Sequence, residues 1–196
     1  MADAHVVGAV LAGGRSRRMG RPKALVELAG RPLIAHALSA VERASLEPVV
    51  VAKPYSPLPP LSCRVVREPA EPTHPLRGVV SALAESAGRP VVALACDMPL
   101  VPAPLLALLA RLDATAAVVE AAGRVQSLLA RYEPAVAAAL EDAMAAGAPA
   151  QEAVAGLDPR MIGEEELARF GEPGLICLNV NTPTDLERAE AVLGTG

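Results

Sequence analysis

Aromatic residues make up only 2% of this 196-residue chain, and tryptophan is absent. Proteins that hold single-stranded nucleic acid stack its bases on aromatic rings, so that mode of binding has no platform here. An excess of positive charge is missing too. The net charge of −4 argues against a general nucleic-acid binder. There are three cysteines, Cys63, Cys96 and Cys177, with no CxxC pair and no histidine at metal-ligand spacing. Such a scattered, odd set fits neither a disulfide framework nor a zinc site, and reads as reduced thiols. No apolar run approaches the roughly 18 residues needed to cross a bilayer. PLVPAPLLALLA comes closest, and prolines interrupt it. The N-terminal MADAHVV lacks the basic and apolar regions of a signal peptide. The expectation is a cytoplasmic protein with no membrane partner.

Hydrophobic residues make up 52% of the chain and charged residues 20%, a balance that belongs to a globular domain. The run from Val6 to Ala12 is apolar and stops at Gly13-Gly14, as a buried parallel strand does. EPVVVAK (47–53), CRVVRE (63–68) and PVVALACD (90–97) read as further strands, and LICLNVN (175–181) as a last one. Helical periodicity marks RPLIAHALSAVERA (31–44), GVVSALAESA, a segment from Pro102–Pro104 to Arg111, and Glu133 to Ala146. The stretch 114–132 reads as two strands joined around Ala122-Gly123-Arg124, one of them antiparallel. TPTDLERAEAVL reads as a final helix capped by Thr182 with Asp185 three residues on. Residues 149–174 are irregular. Strands alternating with helices predict an α/β fold, a three-layer α/β/α sandwich with a mostly parallel sheet and an antiparallel insertion. A single domain is expected, its nucleotide-binding half about 1–110 and its acceptor-binding half about 111–196.

The densest signal is LAGGRSRRMGRPK, which gathers Arg15, Arg17, Arg18, Arg21 and Lys23 around Gly13, Gly14 and Gly20 in an acidic chain. Five like charges repel unless an anion sits among them. Glycines at a strand end let the backbone turn sharply and approach a ligand, so the segment suits a phosphate cradle. It is not a P-loop, because Gly20 is followed by Arg21-Pro22 rather than Lys and a hydroxyl residue. It is not the dinucleotide fingerprint either, since GxGxxG is missing and the second strand ends at Ala52-Lys53. Ligands of such sheets bind beyond the carboxyl ends of the strands, which brings Gly13-Gly14, Asp97 and Asn179/Asn181 towards one edge. Asn179 and Asn181 alternate around Val180 and so share a face of an extended segment. His74, in a long loop, is a lesser candidate for substrate contact.

LAGGRSRRMGRPKAL resembles the signature LAGGxSxRMGxxKA of the nucleotidyltransferase family that includes molybdenum cofactor guanylyltransferase. PLRGVVSAL, CDMPLVPAPLL, RVQSLLARYEPAV and LNVNTPTDLERAE resemble further segments of that family. The resemblance implies a Rossmann-like nucleotidyltransferase fold. It implies transfer of GMP from GTP to the terminal phosphate of molybdopterin, releasing pyrophosphate, with Mg²⁺ as cofactor. By position, Leu11, Ala12, Gly13 and Gly14 would hold the nucleotide, and Arg18 and Lys23 would neutralise the triphosphate and the leaving pyrophosphate. Gly78 would lie against base or ribose, Asp97 would bind the metal, and Asn179 and Asn181 would sit near the metal and the acceptor phosphate. Cofactor-delivery proteins or acceptor molybdoenzymes would be protein partners.

Two departures keep alternatives open. Pro22 precedes Lys23 where the family often has Asp, a form shared with molybdopterin cytidylyltransferases. Ser127 follows Gln126 where the guanylyl branch commonly has Pro. Transfer from CTP, a sugar-phosphate acceptor, and a non-catalytic nucleotide-binding regulator therefore stand beside the guanylyl reading.

Overall fold

The computed structural model describes residues 6–13 and 22–194. β1 (Val7–Leu11) is buried along its whole length, which is why its apolar residues do not alternate with polar ones. A short ribbon follows, β2 (Glu27–Leu28) against β3 (Arg31–Pro32). Then come α1 (Leu33–Arg43), β4 (Glu47–Ala52), β5 (Arg64–Arg67), α2 (Arg77–Ala84), β6 (Val91–Ala95) and α3 (Ala103–Arg111). The second part holds β7 (Ala116–Ala121), β8 (Arg124–Tyr132), α4 (Ala137–Ala145), α5 (Ala150–Ala155), β9 (Arg160–Ile162), α6 (Glu164–Leu167), α7 (Pro173–Ile176) and α8 (Pro183–Leu193).

Seven strands form one sheet in the order β5-β4-β1-β6-β8-β7-β9, and every strand but β8 runs the same way. Alternation along the strands feeds two cores. Val7, Ala9 and Leu11 face α2, α4 and α5, while Val10 faces α1 and α3. That is the three-layer arrangement expected. The chain leaves β1 for β4 on one side and returns to β6 on the other, so the order reverses at β1. Ligands of open α/β sheets bind at such a reversal, here at the ends of β1 and β6.

A third, smaller core decides the geometry of the site. Val26, Leu28 and Leu33, just beyond the basic segment, pack with Leu178, Val180 and Ala189 near the C-terminus. Burying side chains of this size stabilises the join by about 1.5–3 kcal/mol each. The join also corrects the reading of LICLNVN as a strand. Residues 173–176 are helical, started by Glu172, whose side chain accepts from the Gly174 amide at 2.9 Å; Cys177 turns the chain out of the helix, and 178–181 has no sheet partner. The Val180 amide donates to the Asp97 carbonyl at 2.8 Å, a single link rather than a ladder. The apolar alternation in LICLNVN serves the small core, not the sheet.

The hairpin between β7 and β8 turns on Ala122 (φ 51°) and Gly123 (φ 66°), both left-handed as a two-residue turn with the right twist demands. Alanine is strained there. Ala122→Gly should raise stability by about 1 kcal/mol, readable as a rise in the urea midpoint at constant m. An unchanged or lower midpoint would show that the turn carries no such strain. Beyond the hairpin the pairing skips: Val118 faces Ala130, but Val119 faces Gln126. The extra residues of β8 form a bulge, and the pairing of β6 with β8 stops at Leu94. Bulges of this kind re-aim side chains beside functional sites.

Candidate active site

Asp97 lies where the sequence places it, just past the end of β6. The Cys96 amide donates to the Leu11 carbonyl at 3.1 Å, tying that end to β1. The Asp97 carboxylate accepts from Lys23 Nζ through Oδ2, and the same ammonium donates to Asn181 Oδ1. Residues far apart in sequence thus meet at one cation position, because the small core draws the segment after residue 22 against the segment before α8. Lys23 is less open than a free phosphate-seeking lysine, with its side chain 18% exposed. Its two partners, Asp97 and Asn181, account for that.

Two cavities meet at this point. The first, about 490 Å³, is bounded by Leu11, Gly13, Lys23, Gly78 and Asp97. The second, about 550 Å³, is bounded by Asp97, Gln126, Gln151, Asn179 and Asn181. Ala95, Asp97 and Leu128 belong to both walls, Leu128 being delivered by the β8 bulge. Ala12 stands apart: its side chain enters the core and its amide donates to the Val51 carbonyl at 2.7 Å. Gly14 and Arg18, with Arg15, Arg17 and Arg21, lie outside the described residues.

Asn181 is held from behind. Its amide donates to Asp185 Oδ2 at 3.1 Å, and Asp185 also closes the capping box with Thr182. Asn179 Nδ2 donates to the Cys177 carbonyl at 3.0 Å. Both asparagines face the second cavity, as their spacing implies, although the segment is not a strand. His74 borders the first cavity, but its Nε2 lies 3.0 Å from the Ala148 carbonyl and its Nδ1 accepts from the Leu76 amide at 3.2 Å. Both ring nitrogens are engaged within the chain. Burial pushes the thiols of Cys63, Cys96 and Cys177 up, the last to about 11, so none is a thiolate at neutral pH.

The sequence reading missed Lys53 and Glu68, at the ends of the neighbouring strands β4 and β5. Both are buried, 3% and 5% exposed, and both border the first cavity. Lys53 Nζ lies 3.6 Å from Glu68 Oε1 and donates to the Pro69 carbonyl at 2.6 Å. Glu68 also explains Gly13: a Cβ there would collide with Oε1 of that carboxylate. The Gly78 position is crowded too, with Glu68 Oε2 3.3 Å from where its Cβ would stand. Charged residues closing two adjacent strands were the available signal.

At the sheet reversal, two adjoining cavities thus share a carboxylate that pairs with a lysine. Residues 8–160 match the family of MobA-like NTP transferase domains. The chain belongs to that family. It is 32% identical over 197 residues to the probable molybdenum cofactor guanylyltransferase of Chloroflexus aggregans, covering 96% of this chain and 95% of that one. It is 37% identical over 176 residues to the molybdenum cofactor guanylyltransferase of Pseudomonas putida, covering 84% and 92%. The solved structure of molybdopterin-guanine dinucleotide biosynthesis protein A from Archaeoglobus fulgidus superposes with a TM-score of 0.81 at 25% identity, covering 97% of this chain and all of that one. This MobA-like chain is a transferase with the Rossmann-like nucleotidyltransferase fold. No helix among its described residues is long and apolar enough to cross a membrane.

Proposed function

We propose that the protein transfers GMP from GTP to the terminal phosphate of molybdopterin and releases pyrophosphate. The observation that carries this reading is the pair of cavities meeting at Asp97 and Lys23. The nucleotide occupies the first, with its α-phosphorus at the junction. The acceptor occupies the second, where Gln126, Gln151, Asn179 and Asn181 offer both donors and acceptors to a neutral heterocycle, and Arg124 offers a cation. An acceptor phosphate oxygen forms the new bond to the α-phosphorus, and the bridge to the β-phosphate breaks. Lys23 draws the triphosphate to the junction and neutralises the departing pyrophosphate.

Guanine is favoured over cytosine by Glu68. Its two carboxylate oxygens suit the adjacent N1–H and N2–H donors of guanine, whereas the cytosine edge sets acceptors beside its one amino group. Buried groups left unpaired by the wrong base make such discrimination large.

The donor set suits a magnesium ion. Asp97 and Asn181 direct oxygens at one point that a lysine ammonium holds here, so the spot favours positive charge. Among the described residues no group of three or more His, Cys, Asp or Glu side chains gathers as a metal site, and one carboxylate completed by substrate phosphates is a usual arrangement for Mg²⁺. When bound, the ion would offset charge developing at the transferred phosphorus. Pyrophosphate release measured with each NTP, with and without molybdopterin, tests the whole reading. GTP-dependent release that requires molybdopterin is the expected result. Equal use of CTP, or release driven by a sugar phosphate instead, would overturn it, and no release with any pair would make the chain a binder only.

A further inference from the structure

We propose that Lys53 is a positioning residue for base selection, fixing the Glu68 carboxylate in the orientation that reads guanine. The proposal rests on the reading of Glu68 given above. Lys53 grips its neighbour at two points, the carboxylate oxygen Oε1 at 3.6 Å and the Pro69 carbonyl directly behind Glu68 at 2.6 Å. Its own backbone is pinned, because the Lys53 carbonyl accepts from the Ser56 amide at 3.1 Å and from Arg67 Nη1 at 2.9 Å. The Glu68 amide donates to the Ala52 carbonyl at 3.0 Å, so both residues are held to adjoining strand ends. A lysine meant for phosphate would reach outward, yet this one is 3% exposed with its ammonium turned onto the cavity wall.

Stability does not explain the pair. Desolvating two charges costs about what their attraction returns, and apolar replacements of buried pairs are commonly neutral or better. What the pair does supply is an anion with one orientation at the inner wall of a ligand cavity.

The charge state points the same way. Burial lifts the Glu68 carboxyl above the usual carboxylate range, while Lys53 and then Arg77 on α2 pull it back. Among the described residues, the other titratable groups on this cavity are His74, held at both nitrogens, Lys23 and Asp97, which pair with each other, and Tyr55 and Cys96. Without Lys53, Arg77 is the one cation among the described residues left to oppose burial, and the carboxyl stays protonated to higher pH. A protonated Glu68 would aim an O–H at a guanine N–H, donor against donor. The anion is lost as pH falls through a raised value, so removing Lys53 moves the loss of guanine binding to higher pH.

Calorimetric titration with GTP and with ITP, which lacks the 2-amino group, tests this from mildly acidic to mildly alkaline pH without acceptor. The wild-type protein should prefer GTP by about tenfold or more, the scale of one hydrogen bond to a charged group. In Lys53→Met the preference should collapse towards unity at neutral pH and return as pH rises. Lys53→Gln, which keeps a donor for the Pro69 carbonyl, should shift in the same direction and serves if the methionine variant fails to fold. Glu68→Gln should lose the preference at every pH. Lys53 variants with a wild-type GTP/ITP ratio and an unshifted pH curve, beside a Glu68→Gln that has lost the ratio, would overturn the role of Lys53 alone. A Glu68→Gln that keeps the ratio would overturn the base reading beneath it.

Discussion

Asp97→Asn is expected to lower pyrophosphate release by about 10²-fold or more, the scale of losing one electrostatic contact made in the transition state. The fold should survive. The backbone bonds that place Asp97, its carbonyl with the Val180 amide and the turn closed by the Met98 amide on Ala95, do not involve the side chain. The amide of the variant still offers an oxygen to Lys23. What disappears is the negative charge shared by both cavities, which would hold the proposed divalent ion. The variant should therefore need a higher Mg²⁺ concentration and remain slow at saturation, with a thermal midpoint near that of the parent. Full turnover across a Mg²⁺ titration would reduce Asp97 to a turn residue.

Lys23→Ala should weaken GTP binding by about 10- to 100-fold, the worth of a hydrogen bond to a charged group, and slow turnover by a similar factor. Lys23 faces Asp97 and Asn181 in the structure, so its removal leaves two oxygens at the junction of open cavities, where water can reach them. Circular dichroism should show an unaltered fold. Calorimetric titration with GTP, followed by turnover at saturating GTP, separates the two effects. Unchanged affinity and rate would remove Lys23 from the site.

Local signals carried far in this chain. Gly13 and Asp97 could be placed because each follows an uninterrupted apolar strand, and a parallel strand buried on both faces writes that pattern directly. The cap of α8 could be read because Thr182 and Asp185 complete it within four residues. Features created by distant partners were harder. β9 spans Arg160–Ile162, three residues whose strand character comes from pairing with β7 rather than from periodicity. LICLNVN alternates like a strand because Leu178 and Val180 meet a small core assembled from the other end of the chain. Lys53 and Glu68 follow directly on β4 and β5, on either side of a Pro-rich stretch. Only the neighbouring positions of β4 and β5 reveal that their charges are buried together.

The small core has a further meaning for how the molecule opens. Its sequence partners lie at 26–33 and at 178–189, the latter beyond the NTP transferase domain match of residues 8–160. A fluctuation that frees the C-terminal tail would strip Leu178 and Val180 from their contacts and carry Asn181 off Lys23 without disturbing the seven-stranded sheet. Amide exchange in α8 would then act as a gauge of how often the junction falls apart, and nucleotide bound in the first cavity as proposed should slow it.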